Sequence, residues 1–474
     1  METEHGFTPD QQEAYDALLA GRDVFLTGDA GTGKSYILDA YIRHLQKARV
    51  PHLAMAPTGV AALNLPGGTT IHRSLHVPFG FVDREGRDED GTPRRPPKAL
   101  KAAEVVIIDE ISMCRVDLFE FVMHMIHQAE LASGKKQVVV VGDFFQLPPV
   151  VTSDDEELMM RFYPGNPMGW CFHSPWWSGR AFEPHLLTTV VRQDDPEFIA
   201  NLDAARVGDK SCIGYFNRHA VSDRKYAHAD EDAIFLCNTN RSADAINAEE
   251  LEKLDSETVT FSATATGKVN KGDKIAPDRL PLRVGAKVML LVNDKDGRYV
   301  NGSQGEVTVI NKNKKKVAVY LFDSGEEVVI EPYTWKILKS TTATMRADDG
   351  TEKLIVENEA IGTYTQFPLK LAWAITIHKS QGLTFPSLIV NTKTFMAGQL
   401  YVALSRCSTF DGLTVFPKIE PERLHASRDV VDFYAEIERQ VRVRSGETVL
   451  LECPREFAKK AAAYIDSLSA RSAA

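Results

Sequence analysis

One short stretch restricts the folds open to this chain more than any other: Gly28-Asp29-Ala30-Gly31-Thr32-Gly33-Lys34-Ser35. The apolar run Asp23-Val24-Phe25-Leu26-Thr27 precedes it and reads as a short buried strand. Tyr36-Ile37-Leu38-Asp39-Ala40-Tyr41-Ile42 follows it with apolar residues at helical spacing. Strand, glycine-rich loop and helix in that order make a P-loop. Its glycines let successive backbone N–H groups turn inward onto phosphate oxygens, and the helix N-terminus adds a favourable dipole. Lys34 brings a positive charge to the β- and γ-phosphates, and the Ser35 hydroxyl can ligate Mg²⁺. The chain is therefore expected to bind a nucleoside triphosphate, and the rest of the sequence must say what the energy is used for.

At 474 residues the chain exceeds one hydrophobic core, and about three or four domains or subdomains are expected. No apolar run approaches the ~20 residues that span a bilayer, so no membrane partner is expected. The start, Met1-Glu2-Thr3-Glu4-His5, is acidic and lacks the features of a secretion or organelle signal. A cytoplasmic location follows as an expectation, nucleoid-associated if the source is bacterial. The cysteines (Cys114, Cys171, Cys212, Cys237, Cys407, Cys453) are scattered without paired metal spacing and read as free thiols. A formal net charge of −10 argues against bulk attraction to nucleic acid, so any such contact must come from a local basic groove.

Strands fit at 24–27, 52–56, 105–109 and 137–142, alternating with helical segments. That alternation predicts an α/β fold with a parallel sheet flanked by helices. Residues 66–97 break the pattern with Gly, Pro, Asp and Arg, and read as a surface insert. A second alternating region begins near residue 184, with a strand at 233–237 and a helix at 242–254. From about 259 to 364 short alternating runs (287–292, 306–310, 316–322, 327–330) are separated by turn signals, which predicts a small all-β module, a barrel. Helix and strand alternation returns at Phe367, so the module is an insertion in a second α/β domain. The expected divisions are 1–185 with an insert at 66–100, then 186–258 together with 366–442, the β module 259–365, and a C-terminal extension 443–474. The extension includes a strand at 447–451.

The chemistry concentrates at a few points. Val105-Val106-Ile107-Ile108-Asp109-Glu110 is an apolar strand ending in two acids. Asp109 suits Mg²⁺, and Glu110 suits orienting and deprotonating an attacking water. Phosphoryl transfer needs further positive charge around the γ-phosphate. Arg192 and Arg406 lie outside the first domain in suitable contexts, and each equally suits an interdomain salt bridge. Thr58 and Gly59 follow the strand ending at Ala56, at the sheet edge where open α/β folds bind ligands. Phe144 and Phe145 can stack on bases or pack in the core, and packing is the commoner fate of such residues. His72 and His378, taken alone, read as ordinary hydrogen-bonded residues. Thr376, Lys379, Ser380, Gln381 and Gly382 form a stretch suited to holding phosphate beside a cleft. Two basic clusters, Arg94/Arg95/Lys98/Lys101 and Lys312/Lys314/Lys315/Lys316, read as solvated faces.

In this order the residues resemble superfamily 1 helicases, most closely the Pif-type 5′→3′ DNA helicases, with RecD-type and Dda-type enzymes as near relatives. Phe7-Thr8-Pro9-Asp10-Gln11 resembles the adenine-reading Q motif, with Gln11 on the base. Residues 56–62 and 68–72 resemble motif Ia and the next strand-contacting element, 109–113 motif II, and Asp117-Leu118-Phe119 the Pif-type signature. Residues 141–150 resemble motif III, with Gln146 as γ-phosphate sensor; 192 falls on motif IV, 374–385 on motif V, and 399–406 on motif VI with Arg406 as arginine finger. The resemblance implies two RecA-like P-loop motor domains, a small inserted wedge subdomain in the first, and a Src-homology-3-like barrel in the second. Lys34, Glu110, Gln146, Arg192 and Arg406 are then the implied catalytic residues, with ATP and Mg²⁺ as cofactors. DNA contacts are implied at Pro57, Thr58, Gly59, His72, Phe79, Thr376, His378, Lys379 and Ser380. The implied wedge tip is Val77-Pro78-Phe79-Gly80-Phe81, which reads equally as a hydrophobic anchor of its loop. Thr384 stands where RecD-type and Dda-type motifs place Glu. No long N-terminal extension is expected, so the partner-recruiting roles of larger relatives do not carry over. The implied activity is 5′→3′ translocation on single-stranded DNA and unwinding of tailed or forked duplexes by a monomer. An ATP-switched strand clamp that remodels without unwinding, and an RNA-directed helicase, are the alternatives.

Overall fold

A computed structural model of the chain describes residues 6–77, 80–82, 94–222, 233–270, 273–322, 324–346 and 352–446. It divides into two compact units, 1–431 and 432–474; the described residues of the second are helical as far as Arg444. The expected strand at 447–451, Cys453, and the wedge residues Pro78 and Phe79 lie outside the described residues.

The first sheet contains β1 (Val24–Gly28), β2 (His52–Ala56), β3 (Thr69–Thr70), β4 (Val105–Ile108), β5 (Gln137–Val141) and β6 (Glu183–Leu187), all parallel, in the order β3-β2-β4-β5-β1-β6. β1 and β4 are buried along their whole length, which is why they read as unbroken apolar runs rather than alternating ones. Along β1 the side chains still alternate. Val24 and Leu26 pack with the helices Pro9–Leu19 and Lys34–Lys47, and Phe25 packs on the other face against Phe144 and Trp177. Helix Lys34–Lys47 buries Ile37, Leu38, Tyr41, Ile42 and Leu45, one continuous stripe. Phe144 and Phe145 are both buried, as packing residues rather than exposed platforms.

β6 pairs with β1 from Val24↔Glu183 to Gly28↔Leu187, so a division at residue 185 falls inside a strand of the first sheet. Its sequence, Glu-Pro-His-Leu-Leu, carries no β-branched residue, and its pairing with a distant strand defines it.

The second lobe is a four-stranded parallel sheet, with β7 (Ile234–Cys237) beside two strands far along the chain. Between them lies the antiparallel module: β8 (Val259–Ser262), β9 (Thr264–Gly267), β10 (Arg279–Leu282), β11 (Lys287–Leu290), β12 (Gln304–Asn311), β13 (Lys316–Leu321), β14 (Glu327–Ile330), β15 (Tyr333–Arg346), β16 (Glu352–Gln366) and β17 (Leu369–Leu371). β18 (Ala374–Thr376), β19 (Leu388–Asn391) and β20 (Leu413–Phe416) then complete the second lobe in the order β18-β7-β19-β20. In the module, β14-β13-β12-β11-β17 form one sheet, and the β8–β10 pair closes over it around Leu282, Val288, Val307, Val319 and Phe367. β17 pairs with β11, so the module's hydrogen bonding continues past residue 365. Lys312, Lys314, Lys315 and Lys316 are exposed at the β12–β13 turn.

Candidate active site

The loops that carry the chemistry leave the carboxyl ends of β1, β2, β4 and β5, where an open α/β sheet binds its ligand. In the P-loop, Gly31 and Gly33 adopt φ of +86° and +83°, which bends the chain so that the helix begins at Lys34. A Cβ on Gly33 would lie 2.6 Å from the Gln11 side-chain nitrogen, and one on Gly31 would lie 2.7 Å from Cβ of Arg192. The loop is thus packed from both sides. Lys34 Nζ donates to the carbonyls of Gly28 (2.8 Å) and Asp29 (2.9 Å). Desolvation pulls its ammonium below the ordinary lysine value, opposed by Asp143, Asp29 and Glu110. Gln11 is buried; its amide nitrogen donates to Thr32 O at 2.9 Å and its oxygen accepts from Thr8 N at 3.1 Å. The first bond supports the loop and the second caps the helix Pro9–Leu19, and each end of the amide keeps one further donor or lone pair for a base.

Asp109 and Glu110 follow β4, with Ser35 on the same cavity wall. Burial raises the pKa of both carboxyls, and each is raised further by a neighbouring acid. Glu110 holds φ of +49°, a left-handed conformation rare for a residue with a side chain and costing about 1–3 kcal/mol. Gly142 allows that turn, since a Cβ there would meet Ile111 N at 2.9 Å. Gln381 of the second lobe donates its side-chain N–H to Glu110 Oε2 at 2.8 Å, bridging the two lobes.

Five more residues close the crevice. Arg192 was expected on the second lobe; it lies on the connector just after β6, where Val191 N donates to Gly31 O at 2.9 Å. Its guanidinium donates to Ser405 O at 3.2 Å. The reason is the extra strand β6, which brings the chain back beside β1 and sets the connector against the P-loop. Arg406 is 2 % exposed and donates to Val402 O and Ser405 Oγ, both at 3.0 Å. Desolvation and the adjacent Arg192 both act against its charge, while Glu110 and Asp143 favour it. Tyr401 accepts from Ala30 N at 2.9 Å. Arg206 pairs with Asp29 at 2.9 Å and Asp143 at 3.1 Å. Gln146 is buried, and its carbonyl abuts Gly398, the residue that begins the helix Gln399–Leu404.

The implied DNA contacts are more scattered. Gly59, Thr376, Lys379 and Gly382 line one cavity of about 1210 Å³ together with Ser35, Asp109 and Glu110. Thr58 caps the helix Gly59–Leu63 through Ala61 N, and Pro57 sits half-buried beside it. Thr376 caps the turn Ile377–Ser380 through Lys379 N. Ser380 is fully buried, and its hydroxyl donates back to Ile377 O at 2.7 Å, so it is not presented to the cavity. His378 is half-buried and uncharged-favouring by desolvation. His72 lies near Arg115 and Asp117, and its neighbour Arg73 pairs with Asp273 of the module. Phe81 packs against Phe162 with ring centres 5.6 Å apart, an anchor for its loop. A notional Cβ on Gly382 would lie 3.6 Å from the Asn64 side-chain nitrogen.

A family model described as PIF1-like helicase matches residues 6–171. The ATP-dependent DNA helicase Pif1 of Campylobacter jejuni is 31% identical over 426 residues, 85% of this chain and 90% of that protein. The chain belongs to the Pif1 helicase family. Among solved structures, Bacteroides sp. Pif1 in complex with ADP-AlF4 has a TM-score of 0.76 at 32% identity, covering 91% of this chain and 97% of that one. Bacteroides Pif1 bound to ssDNA scores 0.64 at 32% identity, covering 92% and 97%. This Pif1-family chain superposes more fully on the first than on the second.

Asp143, Arg206, Tyr401 and Gln193 belong to the crevice and were not singled out as site residues from the sequence. Tyr401 and Asp143 lie inside stretches that the motif pattern had marked. Gln193, donating to Cys407 O at 3.0 Å, adjoins the marked Arg192, whereas Arg206, at the end of the helix Pro196–Arg206, has no local signal.

Proposed function

We propose that this chain is an ATP-dependent DNA helicase that moves 5′→3′ along a single strand and separates the duplex ahead of it. One observation carries the reading: Lys34, Glu110, Arg192 and Arg406 share a single crevice between two parallel-sheet lobes. Two guanidiniums held side by side in a desolvated crevice are stabilised by an anion between them, and a triphosphate's terminal group is such an anion. Lys34 would leave its two carbonyls for the phosphates, and Gln381 would hold Glu110 aimed at the attacking water. Mg²⁺ fits the oxygen donors Ser35 and Asp109, since two adjacent buried carboxyls favour a cation. When bound it would neutralise developing charge on the phosphates.

The link between lobes gives the motor. Arg192 to Ser405, Tyr401 to Ala30 and Gln381 to Glu110 all cross the crevice, so a nucleotide that tightens or loosens them moves the lobes against each other. Gly59, Thr376 and Lys379, on the cavity walls of both lobes, are then the groups that grip phosphates in turn. We read the β module as a Src-homology-3-like barrel and residues 66–100 as the wedge. A Bacteroides relative has been crystallised with ssDNA, and a Pif1 relative unwinds at forked dsDNA as two coordinating helicases. No helix of the described residues is long and apolar enough to cross a membrane. The workplace we assign is the cytoplasm, or the nucleoid of a bacterium.

ATP hydrolysis measured with and without ssDNA, and with RNA of equal length, tests the substrate. Duplexes carrying a 5′ or a 3′ tail test the motor. Stimulation by DNA and unwinding from 5′ tails are expected. Unwinding from 3′ tails alone refutes the polarity, and stimulation without strand separation converts the reading to a clamp.

A further inference from the structure

We propose that Arg206 is a positioning residue of the ATPase centre, reaching across the crevice to neutralise Asp29 and Asp143 so that Lys34 stays available to phosphate. This rests on the nucleotide-site reading above. Arg206 ends the helix Pro196–Arg206, whose Phe198, Leu202 and Ala205 share a core with Leu400, Tyr401 and Leu404. Its guanidinium therefore moves with the helix that leads to Arg406. Nε lies 2.9 Å from Asp29 Oδ1, and Nη2 lies 3.1 Å from Asp143 Oδ1. Asp29 belongs to the P-loop and Asp143 to the segment after β5, so one side chain ties two first-lobe loops to the second lobe.

The charge arithmetic explains why an arginine stands there. Asp143 has no side-chain exposure and Asp29 only 20%, so neither carboxylate is screened by bulk water. Both act on the Lys34 ammonium, ahead of Glu110. Without a cation between them they would hold Lys34 to themselves and repel an incoming triphosphate. A guanidinium satisfies two carboxylates at once because its donors diverge in one plane. Phe145 sets that plane, with its ring centre 4.3 Å beneath the Arg206 Cζ. An ammonium has neither the fork nor the flat face, so lysine is only a partial substitute.

The test uses the full chain. Affinity for a fluorescent ATP analogue in Mg²⁺ is read directly, and ATP KM and kcat are read at saturating ssDNA. Arg206→Gln is expected to weaken nucleotide affinity and raise KM by at least ~10-fold, with kcat reduced less than KM is raised. Adding Asp29→Asn to that variant removes the stranded charge and is expected to recover most of the loss; a purely structural role would not be rescued this way. Arg206→Lys is expected to fall between. Nucleotide affinity and KM within twofold of the parent in folded Arg206→Gln, or no recovery on adding Asp29→Asn, overturns the proposal. If Arg206→Gln does not fold, Arg206→Lys with and without Asp29→Asn decides by the same two readouts. A parent chain that binds the analogue but shows no DNA-stimulated hydrolysis refutes the helicase reading alone, because affinity still tests Arg206.

Discussion

Replacing Gly398 by alanine should slow catalysis without touching any group that contacts nucleotide. Gly398 has φ of +73° and starts the helix Gln399–Leu404, which carries Tyr401 and leads directly to Arg406. A Cβ there would lie 2.3 Å from Phe145 O and 2.7 Å from Gln146 O. Carbon and carbonyl oxygen normally approach to about 3.3–3.6 Å, so roughly 1 Å of separation must open. Both obstacles are backbone, and no side chain can swing aside. The helix start must therefore retreat from the loop after β5, taking Tyr401 from Ala30 and Arg406 from Glu110. A misplacement of about 1 Å at a reacting centre costs on the order of 100-fold in rate. The left-handed backbone adds about 1–2 kcal/mol of destabilisation. Gly21 is the control: its φ is also +73°, but nothing lies within 4 Å of its notional Cβ. Gly21→Ala should lose stability without losing kcat. Steady-state ATP hydrolysis at saturating ssDNA, with thermal unfolding of each variant, separates the two effects. A Gly398→Ala kcat within threefold of the parent, or an equal fall in both variants, refutes the reasoning.

Glu110→Gln should keep nucleotide affinity and lower kcat by about 10²–10⁴, as removal of a general base does; full turnover in a single-turnover assay would contradict that role. Lys370 lines the same cavity as Lys379, and burial together with that neighbour pushes its ammonium down to about 8. Its charge in the free protein is lost as pH rises through that value. Affinity for a short ssDNA, followed by fluorescence anisotropy, should fall between pH 7 and 9, and Lys370→Met should flatten this part of the profile. Asp117 is completely buried and takes Arg115 Nε at 2.6 Å and Val82 N at 2.8 Å. Asp117→Ala should lower stability by about 3–5 kcal/mol in denaturant unfolding, and a loss under 1 kcal/mol would show that Asp155 alone satisfies Arg115.

The local signals that proved legible share a short range. A strand of four apolar residues followed by Asp-Glu, or glycines followed by Lys-Ser, fixes its conformation over a few residues, so Val105–Ile108 and the loop before Lys34 are readable without a partner. The insertion of a β module was likewise legible, because the change from helical to alternating periodicity extends over many residues. Other assignments needed distant partners. Ser380 looked like a polar donor, yet its turn folds the hydroxyl back on Ile377. Arg192 was expected within the second lobe, yet it lies on the connector after β6, a strand only by virtue of β1.

By itself the amino-acid order determined that a triphosphate loop, an acidic strand end and two α/β segments with a β insertion exist in this chain. Those are properties of backbone preference and apolar periodicity, which act between neighbours. Only the tertiary structure decided that Arg206 sits between Asp29 and Asp143, that Tyr401 meets Ala30, and that Gln11 is committed to Thr32. Such pairings join residues far apart in the chain, and burial, which makes them strong, arises only when the lobes pack together.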